Sequence, residues 1–507
     1  MQSIWTRRQF LARMSKAGAG LTAMAGAGYG GYKWPRDTAP EPRPEPKSVP
    51  DPDVERFHTR PDLTPPNITT NRVHHDRTAV PRLYFITPKG YQGIGPGTQG
   101  PLIVDQHGQV VWFDPTPGEG GSPTGLEVQQ YQGKPVLTWW KGTMDAGHGA
   151  GAGIIMDSAY RTIATVKAGN GQSADMHEFR LTDRGSALIS AYRKTTADLT
   201  PIGGKKHAPT YSGIVQEIDV ATGAVLFEWD SLDQVGIEET YTPATVKKGD
   251  AVDYFHINAI DVAPDGDLLV SARNTWSIYK ISRKNGRIRW RLGGKKSDFS
   301  IASDARFQWQ HDIRSRGENR ISLFDNAASP QEAPQSRGLV LDIDEQARRV
   351  SLVHQYTHPA RLLAHNQGSV QILDNGLVCV GWGGQPYFSV FTEDGRLVLD
   401  GRLPANETSY RALAFDWVGR PDTDPDITLG SNPAGGTIIY ASWNGATEVA
   451  TWQVLAGKAG GSLTPAARSA RSGFDTAVVV NTEGPYFAVA ALDRHEREIG
   501  RSKTVRS

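Results

Sequence analysis

Asp253-Tyr254-Phe255-His256-Ile257-Asn258-Ala259-Ile260-Asp261 is the stretch whose plan the chain repeats. A histidine opens a short apolar run, Asp265-Gly266 makes a turn, and Leu268-Leu269-Val270-Ser271-Ala272 returns as a second strand. This is the pattern of a tight β-hairpin. Three other segments open the same way: Met176-His177-Glu178-Phe179, Gln310-His311-Asp312-Ile313 and Ala364-His365-Asn366-Gln367. Each leads through a turn into a β-rich run, respectively Ala187 to Ala191, Ile321 to Phe324 and Leu377 to Val380. The steps between the four histidines are 79, 55 and 54 residues. Four-stranded propeller blades recur every ~40–50 residues, with insertions carried in loops. The spacing therefore predicts a radial repeat with four histidines at one mouth of a central channel.

The first residue of one strand in an antiparallel hairpin lies beside the last residue of the next. His256 is accordingly expected across from Arg273. The equivalent positions are Tyr192 or Arg193 for His177, Asn326 for His311 and Trp382 for His365. Imidazoles, a guanidinium, an amide and aromatic walls around one pocket suit a small anion that carries an aromatic group. One histidine alone is more often structural than functional, but four in register at a channel mouth point to a site. Three or four imidazoles can hold Zn or Cu, yet Zn sites usually bring cysteine, carboxylate or short-spaced histidine pairs, and the sequence pattern offers none at these positions. No metal and no cofactor is expected.

Working outward, the segment from His256 to Leu292 holds four strands with turns at Asp265-Gly266 and Asn285-Gly286. Further four-strand units follow from His311 to Tyr356 and from His365 to Leu403. Tyr410 to Phe415 supplies an inner strand whose outer partners are missing downstream. Strands near Leu102 to Phe113 have no inner partner, so the ring is expected to close by joining its two ends in one blade. The predicted fold is all-β: a six-bladed β-propeller over residues 81–430 with a small C-terminal β-sandwich over 431–507. Thr6-Arg7-Arg8-Gln9-Phe10-Leu11 and the Ala/Gly run behind it read as a twin-arginine export signal over residues 1–31. The apolar part is ~11–15 residues, too short for the ~20 that a membrane-spanning helix needs. The Pro-rich residues 32–80 read as a linker. An exported, periplasmic, cell-surface or secreted protein is expected.

The composition supports this reading. With 55 Gly, 32 Pro and 13 Trp the chain favours short strands and turns over long helices. Its 55 basic and 54 acidic side chains give a net charge of +1, so no bulk field recruits nucleic acid or an anionic membrane. Cys379 is the one cysteine, which excludes an intramolecular disulfide.

The motifs Asp253-Tyr254-Phe255-His256-Ile257-Asn258, Ser271-Ala272-Arg273, Trp290-Arg291-Leu292-Gly293-Gly294, Trp309-Gln310-His311-Asp312 and Leu323-Phe324-Asp325-Asn326 resemble those of the arylsulfotransferases that use an aryl sulfate rather than a nucleotide donor. The likeness runs from about Leu83 to Phe415, and Ala441 to Thr447 is similar to the tail of a divergent branch. The resemblance implies a six-bladed propeller in which one histidine becomes sulfated. His311 would be the nucleophile, His256 and Arg273 would hold the sulfuryl oxygens, and His177 would complete the catalytic set. Asn258, Asn326, His365 and Trp382 are the substrate-binding candidates, with a small aryl sulfate and a phenol as partners. Two other readings stand beside this one. A non-catalytic propeller would bind a carbohydrate or polyphenol through Trp139, Trp140 and Trp382, and a metal-dependent hydrolase or lyase would use the histidines as ligands.

Overall fold

The computed structural model describes residues 51–73, 80, 82–90, 95–115, 121–244, 250–481 and 484–507. The twin-arginine stretch, and the Pro-rich segment as far as Pro50, lie outside the described residues. The chain is all-β, and among the described residues helix is confined to isolated three-residue turns.

The stretch that opened the sequence reading forms a four-stranded antiparallel sheet of Ile257–Val262, Leu268–Ala272, Ser277–Ile281 and Ile288–Gly293. Its hairpins turn at Gly266 and Gly286, whose φ values of +85° and +71° are accessible to glycine without a Cβ penalty. The strands read as apolar runs rather than strict alternations because both faces are covered: Leu268, Leu269, Val270, Ser271 and Ala272 are all buried. One face packs with Leu188, Val215 and Trp229 of the preceding sheet, the other with Ile313, Leu323 and Leu339 of the following one.

That following sheet is His311–Ser315, Arg320–Asp325, Arg337–Asp344 and Arg349–Tyr356, edged by Ser300–Ile301. Next comes Ser369–Ile372, Val378–Gly381, Tyr387–Phe391 and Leu397–Arg402. Ahead of all three lies a nine-stranded sheet. In it Ser122–Tyr131, Lys134–Asp145, His148–Met156 and Thr162–Val166 meet Ala174–Leu181, Ser186–Ala197, Ala208–Asp219 and Val225–Asp230 through the Gly151–Ala174 pair, with Val252–Asp253 along Ala208–Asp219. The short strand Ala412–Ala414 pairs with Leu83–Ile86, which carries Leu102–Asp105 and Val110–Phe113 outside it. The early strands within residues 83–113 and the late strand Ala412–Ala414 therefore do complete one sheet, with Phe85 opposite Leu413.

Two expectations need correction. The Pro-rich segment does not remain a bare linker as far as residue 80. Phe57, Leu63 and Ile68 are buried, Phe57 lies 4.1 Å from Phe474, and Thr69–Arg72 adds an edge strand to Leu397–Arg402. Prolines forbid a central strand but not an extended strap whose few apolar side chains dock and whose last residues pair at an edge. The change in architecture also falls earlier than residue 431, because Asp426–Ser431 pairs with Thr437–Ser442.

After that change the chain forms two sheets. One is Asp426–Ser431, Thr437–Ser442 and Thr476–Val480, and the other is built on Thr451–Ala459, Ser462–Ala470 and Tyr486–Leu492. Ile439, Val478, Trp452, Val454, Phe487 and Val489 make their shared core. The Trp443-Asn444-Gly445 turn latches onto the strand Val110–Phe113. Asn444 pairs with both backbone groups of Phe113 at 3.0 and 2.9 Å, and the Tyr160 hydroxyl donates to the Gly445 carbonyl at 2.8 Å.

Candidate active site

Each strand that carries a candidate histidine at its inner end is irregular there. Register shifts between Ala174 and Phe179, between Ile257 and Ala259, and between His311 and Arg314. A bulge adds residues on one strand and re-aims its side chains. In the first case residues 175–178 swell out opposite Ser190, whose hydroxyl accepts from the Glu178 N–H at 3.2 Å and donates to Asp175 at 3.3 Å. His256 and Asp312 take left-handed φ values of +59° and +57°, which non-glycine residues hold only when their surroundings enforce it.

These distortions bring His177, His256 and His311 together. The rings of His177 and His256 are 4.7 Å apart, and Tyr410 lies 5.7 Å from His177 and 6.5 Å from His311. All line a cavity of about 840 Å³ with Arg273 and Trp309, a volume suited to a small organic ligand. Arg273 follows the strand end as expected, its N–H donating to the His256 carbonyl at 2.9 Å. Its guanidinium lies 4.6 Å over the Trp309 ring and donates to Asn274 Oδ1 and the His365 carbonyl at 3.0 and 3.2 Å. Stacking on an aromatic face fixes the plane of the fork and leaves its charge available to the cavity.

The three histidines are held differently. Nδ1 of His177 faces the Asp175 carboxylate, Nδ1 of His256 faces Asp253 Oδ2 at 2.5 Å, and Nδ1 of His311 faces Asn326 Oδ1 at 2.7 Å. Nε2 of His311 accepts a long 3.2 Å hydrogen bond from the Gln367 N–H. Burial, reinforced by Arg273, pushes His311 well below the usual histidine range. Burial also takes His256 down to about 4 against the pull of Asp253, and brings Arg273 down to about 10. Burial favours the neutral carboxyl of Asp253, but the charges and hydrogen bonds of His256 and His148 win and keep it ionised.

Below the histidines lies a buried charge layer. Glu178 Oε2 accepts from Arg314 at 2.8 Å, Arg411 at 3.0 Å and the Ile260 N–H at 3.1 Å, while Asp312 Oδ1 lies 2.9 Å from Arg314 and 3.0 Å from Arg411. Arg411 also donates to the His177 carbonyl at 3.2 Å. This layer ties three sheets to the backbone of the site.

The other candidates are placed as follows. Asn326 orients His311 and, through Nδ2, donates to the carbonyls of Ala364 and Gln367 at 3.0 and 2.9 Å. His365 lines the outer cavity but is exposed and stands apart from the other three, because its strand starts only at Ser369. Asn258 is buried away from the cavity, its amide donating to the Gln310 carbonyl at 2.6 Å, so it shapes the neighbouring turn rather than touching a ligand. Trp382 is likewise core: it packs on Phe324 and its indole N–H donates to Ser389 at 2.9 Å. The hairpin rule located it at the strand end, but the chain turns there into the gap between sheets.

Sequence reasoning named Tyr192 beside His177 but passed over His148, Asp253, Asp175 and Tyr410 as site residues. An acid stands two residues before His177 and three before His256, and an aspartate just ahead of each histidine was a readable signal. His148 had none, since it arrives on a hairpin from the nine-stranded sheet and meets Asp253 Oδ2 at 3.0 Å. Ligand atoms of His148, Asp253 and His256 all lie within 4.8 Å of one another, so a carboxylate does accompany these histidines and the three are grouped closely enough to share an ion.

The pattern of the arylsulfotransferase (ASST) family matches residues 127–403, more than half of the chain. The chain belongs to the arylsulfotransferase family. His148, His177, His256, Arg273 and His311 all fall inside the matched span, whereas Tyr410 and Arg411 lie just beyond it. Membership supports arylsulfotransferase-like chemistry in general and small-molecule aryl substrates. A comparison with curated proteins gives no match. Among solved structures the arylsulfotransferase chain is similar to a protein of unknown function from Bacteroides caccae, with 11% identity, 66% of this chain and 98% of that chain covered, and a TM-score of 0.37. It is also similar to a streptogramin B lyase, with 11% identity, coverage of 74% and 94%, and a TM-score of 0.35. Among the described residues no helix of this family member is long and apolar enough to cross a membrane.

Proposed function

We propose that this arylsulfotransferase moves a sulfuryl group from an aryl sulfate to a phenolic acceptor through a sulfated His311. The observation that carries the proposal is the convergence of two buried imidazoles, one half-buried imidazole and one stacked guanidinium on a single cavity with aromatic walls. His311 Nε2 would form the N–S bond as the S–O bond to the donor breaks, and the phenolate leaves. An acceptor phenolate then forms a new S–O bond as the N–S bond breaks, which restores the free ring. A neutral imidazole can begin this without prior deprotonation, and burial supports that state for His311. Arg273 would offset charge on the sulfuryl oxygens, the contribution usually largest in such transfers.

The ring that carries this site is proposed to have six blades, counting the nine-stranded sheet as two four-stranded units and the sheet closed by Ala412–Ala414 as the last. The two C-terminal sheets, which share one core, support a small sandwich.

Incubation of the purified chain with an aryl sulfate, followed by intact mass measurement, tests the proposal: one covalent SO3 addition is expected, and an unmodified mass through turnover would overturn it. Arg273→Lys should fold normally and lose most activity, on the order of 100-fold in the released phenol, because a point charge cannot span two oxygens as the fork does. Full activity would make Arg273 structural.

Export by the twin-arginine route is part of the proposal and rests on Arg7 and Arg8 ahead of a short apolar run. Replacing both with Lys is expected to keep the protein in the cytoplasm, as measured by cell fractionation. Unchanged export would remove this assignment.

A further inference from the structure

The proposed role of His256 leaves a proton unaccounted for. Its Nδ1 faces Asp253 Oδ2, so a neutral ring that gives its proton to that carboxylate presents only a lone pair at Nε2. Such a nitrogen cannot donate to a sulfuryl oxygen. A neutral imidazole that binds a cation through Nδ1 carries its proton on Nε2 instead.

We infer that His148 Nε2, Asp253 Oδ2 and His256 Nδ1 form a site for one divalent transition metal of borderline softness, of the Zn²⁺ class. The carboxylate oxygen stands 3.0 Å from the His148 nitrogen and 2.5 Å from that of His256, and all three ligand atoms fall within 4.8 Å of one another. An ion about 2.0–2.2 Å from each atom wants them about 3.3 Å apart, so the carboxylate has to back away by about 0.3 Å from His148 and about 0.8 Å from His256. Two imidazoles and one carboxylate select against Mg²⁺ and Ca²⁺, which take oxygen ligands.

The three side chains come from separate places: the first residue of His148–Met156, the end of Val252–Asp253, and the left-handed residue ahead of Ile257–Val262. All three line the large cavity, so positions not taken by protein remain open to a ligand, the arrangement of catalytic rather than structural zinc. Tyr211 stacks on His148 at 4.2 Å and Tyr192 meets its edge at 4.4 Å, which fixes the ring toward Asp253. The use made of the His256 Nε2 proton rests on the sulfuryl-transfer reading; the metal site itself does not.

The full chain, stripped with a chelator, is titrated with Zn²⁺ by calorimetry and with Co²⁺ by visible absorption. One equivalent of each is expected, with the Co²⁺ spectrum showing a low-coordinate N/O environment. His148→Gln and Asp253→Asn should each weaken Zn²⁺ by about 10–100-fold or more, since even loss of an outer-shell partner costs that much. His311→Asn should bind as the unaltered chain does. Circular dichroism of each variant checks folding, and if one variant does not fold, the other and the unaltered chain decide. Absence of stoichiometric binding by the unaltered chain, or binding unaffected in every folded ligand variant, overturns the site. Covalent SO3 addition is scored in parallel on stripped and on Zn²⁺-loaded protein: an adduct without Zn²⁺ binding sinks the metal site alone, and Zn²⁺ binding without an adduct on either form sinks sulfuryl transfer alone.

Discussion

His311→Asn is expected to abolish both the covalent SO3 adduct and the release of phenol from an aryl sulfate, by roughly 1,000-fold or more. Nδ1 of His311 is committed to Asn326, so the lone pair available for attack is on Nε2. That atom meets only the long contact from the Gln367 N–H, which costs little to give up when a sulfuryl group arrives. Asparagine keeps a polar group of similar size but has no ring nitrogen to sulfate. His256→Asn should slow the reaction and still allow some adduct. An adduct that survives in His311→Asn and vanishes in His256→Asn would move the nucleophile to the neighbouring sheet. The depressed pKa of His311 adds a pH signature. A histidine whose pKa is lowered stays neutral as pH falls through the ordinary value of about 6.5. Adduct formation is therefore expected to hold steady from about pH 8 to pH 6, whereas a twofold loss centred at the ordinary value would mean an unshifted nucleophile.

Glu178→Gln is expected to cost about 3–5 kcal/mol of stability in chemical denaturation, the range seen when one partner of a buried ion pair is removed. The carboxylate is fully buried beneath the histidines and faces two guanidinium groups, leaving Asp312 as their remaining counter-charge in the layer if it is neutralised. Burial alone would raise the pKa of Glu178, but Arg314 and Arg411 outweigh it and hold the value down to about 2. The folded-state pKa is thus below the unfolded one. The stabilisation is present above about pH 4.5 and is lost as pH falls toward the folded value. The variant should lack that acid-dependent loss. A denaturation midpoint within error of the unaltered chain would mean that the layer contributes specificity rather than stability.

The repeat was legible in the sequence because apolar runs, Gly turns and a leading histidine recur together, and strand positions such as Leu268–Ala272 need no tertiary knowledge. That the strands near Leu102 to Phe113 complete the sheet of Tyr410 to Phe415 was legible for the same reason, each half lacking partners, but that Leu83–Ile86 lies between them was not. What the pattern hid were the bulges. A histidine at a strand start points according to whether the ladder is regular there, and register shifts at residues 174, 257 and 311 are properties of the pairing, not of composition. His365 looked equivalent to the others until its strand proved to begin later. Trp382 was assigned by hairpin geometry to a wall that the actual turn bends away from, and Asn258, a substrate-binding candidate, is spent on the Gln310 carbonyl. Asp253 sat inside the decisive stretch and was read as framing, because its importance depends on His148 arriving from far along the chain.

The sheet shared by the early and late strands also governs when the site can exist. The strand Leu83–Ile86 is synthesised early, yet its inner partner, Ala412–Ala414, appears only after nearly the whole ring has been made. Tyr410 and Arg411, immediately before that partner, supply the ring facing His177 and a guanidinium of the layer under it. Completion of the wall and completion of the pocket are therefore one event in the life of the molecule. A nascent or truncated chain that ends before residue 410 holds all three histidines and still lacks a floor for them, so the chemistry of this family member belongs to the finished polypeptide.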